Sequence, residues 1–466
     1  MAAEPAPAAA APQAATTLPH PSHGAGEADA ASGLAHVAVA SFLASRLVPA
    51  GGFAVALAGG AALARAGQRQ GVRGGYGTSI AALAQTVAIM GPSRFSIPLT
   101  QALSAPLLGA MDARGRGVLA QSLACGLIRV AHAAAGLAFF VWIVLGGLAV
   151  YADGYDVVWD WVPGVPEGIA GAVAFTAAGI LVWTVVATAI QVWIYRRALR
   201  HWPVADEEDR AKGERGAARG ALAPAAPAGT PAAPAGNRAA LPALPGRRAA
   251  DRPAARRMPR FDPRAVALAA ALAFAGLLLS TAWPVLVAAT VWLAGAWALA
   301  RGEREFLLGG LVLTVLLATG ALLGGLLADV GLDLTLRRTA RAALLVLVAT
   351  WLRCAAGEEG LREVARRTLG RLRSVPAAPE AAAVLERLGS GRALPAAGRR
   401  LAGEVRHARR RPAPLAAAIL RWIAAEQTRF RALFSPAGRP LRAGSADVAL
   451  VLLALAPAVA LVATAV

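Results

Sequence analysis

Lysine is almost missing from this chain: Lys212 is the single one, and every other member of its 47 basic side chains is arginine. A phosphate-cradling loop ending in Gly-Lys-Ser/Thr is therefore excluded, and with it nucleotide hydrolysis by that route. Any nucleotide-driven motor working with this protein is a separate polypeptide. Cysteine is scarce too. Cys125 and Cys354 lie far apart, which excludes a disulfide framework or a Cys-x-x-Cys pair and leaves buried structural thiols as the reading. The six histidines are scattered, with no i, i+4 pair and no cysteine or carboxylate at ligand spacing, so no metal site is expected. His132, one turn after Arg129 at the start of an apolar run, reads as an interfacial side chain. No acid/base pair or activated nucleophile emerges, so the chain is expected to be no enzyme and to need no cofactor.

Charge is also thin. Only 16% of residues are charged, against about 25% in a soluble domain. What fills the chain instead is apolar: 57% of residues, with a mean hydropathy of +0.53. Four apolar runs, Ala265 to Thr281, Val285 to Ala300, Phe306 to Ala328 and Leu336 to Cys354, follow one another with short polar breaks. No other segment is large enough to cover them in water, so their solvent is a bilayer. The net charge of +20 would suit nucleic acid in a soluble protein. Here the arginines sit between apolar runs, as the positive-inside rule describes, and no nucleic-acid recognition module is present. The expected class is an all-α, polytopic helical membrane protein with about 7–8 spans and cytoplasmic amphipathic helices, in a bacterial plasma membrane.

Residues 1–33 are Ala, Pro, Gly and small polar residues with no basic n-region, and read as a disordered tail. An N-terminal membrane part is expected over 34–200, with spans near 47–64, 131–151 and 169–195. The first of these is interrupted on its N-terminal side by Arg46, Pro49 and Gly51-Gly52, and a re-entrant hairpin would explain the same residues. The run Gly71-Val72-Arg73-Gly74-Gly75-Tyr76-Gly77 is not preceded by a strand and reads as a flexible connector, not a phosphate loop. Thr78 to Met111 looks helical with a break at Gly91-Pro92. Arg129 marks the inner end of the 131–151 span. The loop after it carries Asp153, Asp156, Asp160 and Glu167 with Tyr151, Tyr155, Trp159 and Trp161 and no basic residue, which places it outside. Arg196, Arg197 and Arg200 close the return span. Residues 201–263 read as a disordered basic Ala/Pro linker.

The second half opens with a four-span part over 264–355, folded at Trp283-Pro284. Arg337, Arg338 and Arg341 follow Asp329 and Asp333 directly. Asp333 and Arg337 are an i, i+4 pair, and Arg337 and Arg341 are candidate membrane-buried polar residues that must face protein or water. Arg-rich cytoplasmic helices occupy 356–445. Leu361, Val364, Thr368, Leu369 and Leu372 repeat with helical period, Leu401 and Val405 oppose Arg399, Arg400, Arg406 and Arg410, and Leu415, Ile419, Trp422, Ile423, Phe430 and Leu433 form a wide apolar side. Such faces need a membrane surface or a protein partner. Residues 446–466 are the final span.

Three local patterns, Asp262-Pro263-Arg264, Gly331-Leu332 with Leu336 and Arg341, and Gly357-Glu358-Glu359 with Leu361, stand in an order of parts that resembles the transmembrane component of energy-coupling factor transporters. The likeness covers roughly 261–466. The resemblance implies cytoplasmic coupling helices that seat on two ATPase subunits and convey their closure to a substrate-binding membrane subunit. That family's Ala-Arg-Gly-like signature is absent from 355–445 and occurs instead at Ala113-Arg114-Gly115, with further copies starting at Ala218 and Ala300. Arg362, Arg366, Arg399, Arg400, Arg406, Arg409 and Arg410 are the candidate partner-contacting residues. The functional expectation is a non-enzymatic transport component coupling a partner ATPase to substrate uptake. The alternative is a structural or regulatory membrane protein whose basic helices bind anionic lipid.

Overall fold

The computed structural model describes residues 24–47, 52–92, 96–221, 261–299, 304–327, 331–388, 393–408 and 443–465, with the short pieces 418–423, 425–426 and 429–430. Among these residues every regular element is helical and no strand occurs. Residues 1–23 of the expected tail (1–33) and 222–260 of the expected linker (201–263) lie outside them, while 24–33 belong to a helix and 201–221 continue one.

The first half is built on a hairpin of α1 (Gly24–Leu47) and α2 (Gly52–Met90). Both are rich in Ala and Gly, so their backbones approach closely. Ser41 Oγ donates to the carbonyl of Val55 at 2.5 Å and accepts from the Gly59 amide at 2.9 Å. A Cβ on Gly59 would sit 2.8 Å from the Phe42 ring. The expected span near 47–64 is corrected here. It falls partly on the end of α1 and mostly in α2, its residues from Val55 to Ala64 are buried inside protein, and it belongs to no helix of spanning length and hydropathy. The glycine-rich run after it is no loose connector either. It lies within α2, which bends at Gly71 (φ 70°), a conformation that glycine adopts at least cost. Glycines of both helices let α2 and α3 (Ser96–Ala113) approach: a Cβ on Gly109 of α3 would lie 1.7 Å from the Ala64 carbonyl oxygen, and one on Gly67 of α2 2.1 Å from that of Pro106.

α4 (Val118–Ala138) continues as a π-helical turn, Phe139–Leu145, that ends at the positive-φ pair Gly146-Gly147 before α5 (Leu148–Trp159). This span therefore begins well before the expected residue 131, and Arg129 is inside it instead of at its end. α6 runs from Gly168 to Ala221, past the boundary expected at 200. α4 and α6 turn large apolar side chains outward, with Leu127 71% and Val185 68% exposed. So does α9 (Arg304–Leu327), where Leu316 is 65% exposed. Continuous apolar exteriors of this kind belong in lipid.

The second half packs α7 (Pro263–Leu279), α8 (Trp283–Leu299), α9 and α10 (Leu332–Arg371) around Trp292 and Trp351, whose rings meet edge to face at 5.2 Å. α9 and α10 cross at two glycines, Gly310 under Thr350 and Gly325 under Thr335. The Asp262-Pro263-Arg264 motif is a helix start: the Asp262 carboxylate accepts from the Arg264 amide and Pro263 takes the first turn. The Asp262 amide donates to Asp447 Oδ1 at 2.7 Å, which fixes the beginning of α7 against α13 (Ser445–Leu453). α14 (Ala456–Ala465) ends the chain's described part.

Among the described residues four helices are long and apolar enough to cross a membrane: Val118–Ile143, Gly168–Trp202, Phe306–Leu326 and Leu332–Arg371. Three further apolar segments, Pro263–Leu279, Trp283–Leu299 and Ser445–Ala460, are shorter. At 17 residues, each of α7 and α8 extends about 25 Å, against a hydrocarbon core of about 30 Å. The four long helices are fewer than the count expected from the apolar runs, because hydropathy does not separate a short apolar helix or a buried hairpin from a full crossing.

Candidate functional site

α10 is one of the elements through which the two halves meet. Near its start, Arg337 pairs with Asp333 at 2.7 Å and lies over the Trp283 ring, whose Nε1 also donates to Asp333. Arg341 is buried, 6% exposed. Arg338 lies against Gly146 of the first half so closely that a Cβ there would fall 2.5 Å from its Nη2. Lower down, Arg353 Nε donates to the Ile89 carbonyl at 2.9 Å while its guanidinium stacks 4.3 Å from the Phe306 ring centre. Gln85 donates to Glu358 at 3.0 Å, and Arg73 pairs with Glu380 at 2.6 Å. One helix thus touches the first half near its start and again past its middle, and the Arg73–Glu380 pair adds a contact from the next helix.

At Gly357 (φ 70°) α10 kinks and becomes amphipathic. Gly360, just beyond, carries Pro263 on its bare face, so the start of α7 rests on the kink. From here α10, α11 (Ala378–Arg387) and α12 (Ala393–Ala408) form a basic layer with the pieces between 418 and 430. The apolar sides of α11 and α12 are buried within the chain. Ala381, Val384, Leu385, Leu394, Leu401 and Trp422 share one core with α1 and α2. The unassigned partner of these helices is the chain's own N-terminal hairpin.

A buried ion-pair cluster locks the arrangement. His36 of α1 and Glu426 are each 1% exposed and lie 3.2 Å apart, and Arg400 Nη2 of α12 reaches both Glu426 oxygens at 2.8 and 2.9 Å. Burial pushes the Glu426 carboxyl upward, but hydrogen bonds from His36 and Arg400 and the Arg400 charge outweigh it and hold the group below the usual carboxylate range.

The candidate partner-contacting arginines divide accordingly. Arg362 Nη1 donates to the Leu388 carbonyl at 2.8 Å, and Arg366 forks onto Glu363 with two bonds of 2.8 Å. Arg400 is committed to Glu426. Arg399 and Arg406 are exposed on the outer side of α12, and Arg409 and Arg410 lie outside the described residues. Sequence reasoning missed Glu426, although a signal was present: it follows Trp422 and Ile423 at helical spacing and precedes Phe430, a carboxylate on an apolar face. It also missed Arg353, which nothing in the local pattern separates from the other span-end arginines.

Among the described residues no group of three or more His, Cys, Asp or Glu side chains is placed to hold a metal ion. Comparison of the chain with protein-family models, with curated proteins and with solved structures finds no match.

Proposed function

We propose that this protein is a non-enzymatic membrane transport component, which receives a partner ATPase on its Arg-rich layer and passes the partner's movement into the membrane through α10. The observation that carries the reading is the continuity of α10. One helix, bent at Gly357, belongs at one end to the apolar bundle and at the other to the basic layer, and it is tied to the first half by Arg353 and Glu358 on either side of the bend. In this reading the layer lies in the cytoplasm of a bacterial cell. The three shorter apolar helices also cross, tilted or in locally thinned lipid, giving about seven crossings, with the α1–α2 hairpin packed among them. Arg399 and Arg406 present the contact surface to acidic patches of the ATPase.

Anionic-lipid binding by the basic helices is the rival account. Burial of their apolar sides leaves it without the insertion that normally anchors such helices. Purification from the native membrane in mild detergent tests the proposal. An ATPase should accompany the wild-type chain and be lost from the Arg399→Gln/Arg406→Gln variant; recovery of the intact chain without any ATPase would overturn the reading.

A further inference from the structure

Arg129 is a buried cation with no established use. It lies roughly 16 Å along α4 from Val118, at about 1.5 Å per residue, in a helix whose neighbouring side chains Leu123 and Leu127 face outward. Arg129 itself is 6% exposed and points inward, where Nη2 donates to Gln191 Oε1 of α6 at 2.5 Å. Its Nε has no acceptor. The ionisable groups that bear on it are the Cys125 thiol and the Tyr195 hydroxyl, and none of the described residues brings a carboxylate to it. A guanidinium in this setting faces a large desolvation cost that one amide oxygen does not offset.

What surrounds Arg129 is rich in donors. Gln191 is turned so that its oxygen accepts from both Arg129 and Cys125 Sγ, while its Nε2 donates to Ser104 Oγ of α3 at 2.7 Å. One and two turns away on α6, Thr188 and Thr184 are 4% and 5% exposed; the Thr188 hydroxyl lies beside the Cys125 thiol, and the Thr184 hydroxyl has no partner. Both face Gly126 of α4, whose missing side chain leaves Thr184 Cγ2 at 3.8 Å and Thr188 Oγ1 at 4.0 Å from where a Cβ would be. A permanent cation, an unused guanidinium N–H, the unpartnered Thr184 hydroxyl and the Thr188 hydroxyl beside a weakly bonding thiol, on facing helices, make a site complementary to negative charge.

We infer that Arg129, Thr184 and Thr188 form a binding site for a small monoanion, a carboxylate group or a halide, within the α3–α4–α6 part of the first half. The anion neutralises the guanidinium and accepts from the Arg129 Nε and the threonine hydroxyls. The site does not depend on the ATPase reading, and its failure would leave that reading untouched.

The test uses the full chain in lipid nanodiscs in sodium gluconate, titrated separately with sodium formate and sodium chloride while thermal unfolding is followed by tryptophan fluorescence. A saturable rise in unfolding temperature with at least one of the two anions is expected. Apparent affinity should fall by at least about tenfold in Arg129→Gln, the factor one charge-assisted hydrogen bond supplies, and recover in part in Arg129→Lys. Thr184→Val/Thr188→Val, which keeps the charge and the shape, should weaken binding several-fold, and it decides the matter if Arg129→Gln does not fold. No rise, a rise linear in salt and equal in Arg129→Gln, or unchanged affinity in the double threonine variant would overturn the inference.

Discussion

Replacing Glu426 by glutamine should loosen the basic layer from the first half, by an amount that the structure allows to be worked out. The carboxylate is 1% exposed and accepts from His36 at 3.2 Å and from Arg400 at 2.8 and 2.9 Å. Glutamine keeps the shape but loses the charge and one acceptor oxygen. Arg400, 41% exposed, can turn to solvent, so only the His36 side is left poorly satisfied. The loss is therefore that of about one charged hydrogen bond, about 2 kcal/mol. Glu426→Ala also strands His36 and opens a cavity, and should cost about 4 kcal/mol. The dependence on pH follows from the depressed carboxyl. A group that ionises more readily when folded than when unfolded stabilises fully above its unfolded value, about 4.3. That stabilisation drains away as the pH falls through the lower folded value. The gap between wild type and Glu426→Gln should thus be constant above about pH 5 and shrink below it. Hydrogen exchange of α12 and α1 amides in detergent would read it as faster opening. An unchanged exchange rate at neutral pH, or a gap that persists undiminished in acid, would refute the reasoning.

Other substitutions separate internal from outward-facing roles. Arg353→Ala removes the bond to the Ile89 carbonyl and the contact with Phe306; it should cost about 2 kcal/mol in thermal unfolding, and Arg353→Lys should not restore the flat stack on the ring. Gly109→Ala places a methyl 1.7 Å from the Ala64 oxygen, so α2 and α3 must separate, with a loss of about 3 kcal/mol and lower yield of folded protein. Asp262→Ala deletes the start signal of α7 and should cost about 1 kcal/mol in denaturant unfolding. Arg399→Gln, on the exposed side of α12, should change stability by less than about 0.5 kcal/mol, while Arg400→Gln costs more because its partner is buried.

The second half was largely legible. Long apolar runs read as lipid-facing helices because lipid-facing surface must be apolar over many consecutive residues. Asp262-Pro263 and Gly357, noticed only as parts of a family-like pattern, prove to be a helix cap and a left-handed kink. In the first half the spans of α4 and α6 were legible as apolar runs, but the α1–α3 part was not, for a physical reason. α1 is buried on all sides, so no polar stripe marks it, and its buried polar groups are Ser32, His36, Ser41 and Ser45, which hydropathy scarcely registers. Glycines serve loops and close helix crossings equally, so Gly67 and Gly75 could not announce that Pro106 would sit on them. The amphipathic helices declared that a partner existed without declaring which one. His36 and Glu426 are 390 positions apart, and no local pattern connects them.

The central claim is that the apolar side of the Arg-rich layer is covered by α1 and α2 of the same chain, while its arginine side stays open. Thiol accessibility measures this most directly. In a chain with Cys125 and Cys354 replaced by alanine, a single cysteine is introduced at Leu401, which is 0% exposed in the shared core, or at exposed Arg399, and treated with a maleimide in mild detergent. The account predicts rapid modification at position 399, protection at 401, and loss of that protection when residues 1–47 are deleted. Equal reactivity at the two positions, or protection at 401 that survives the deletion, would contradict it.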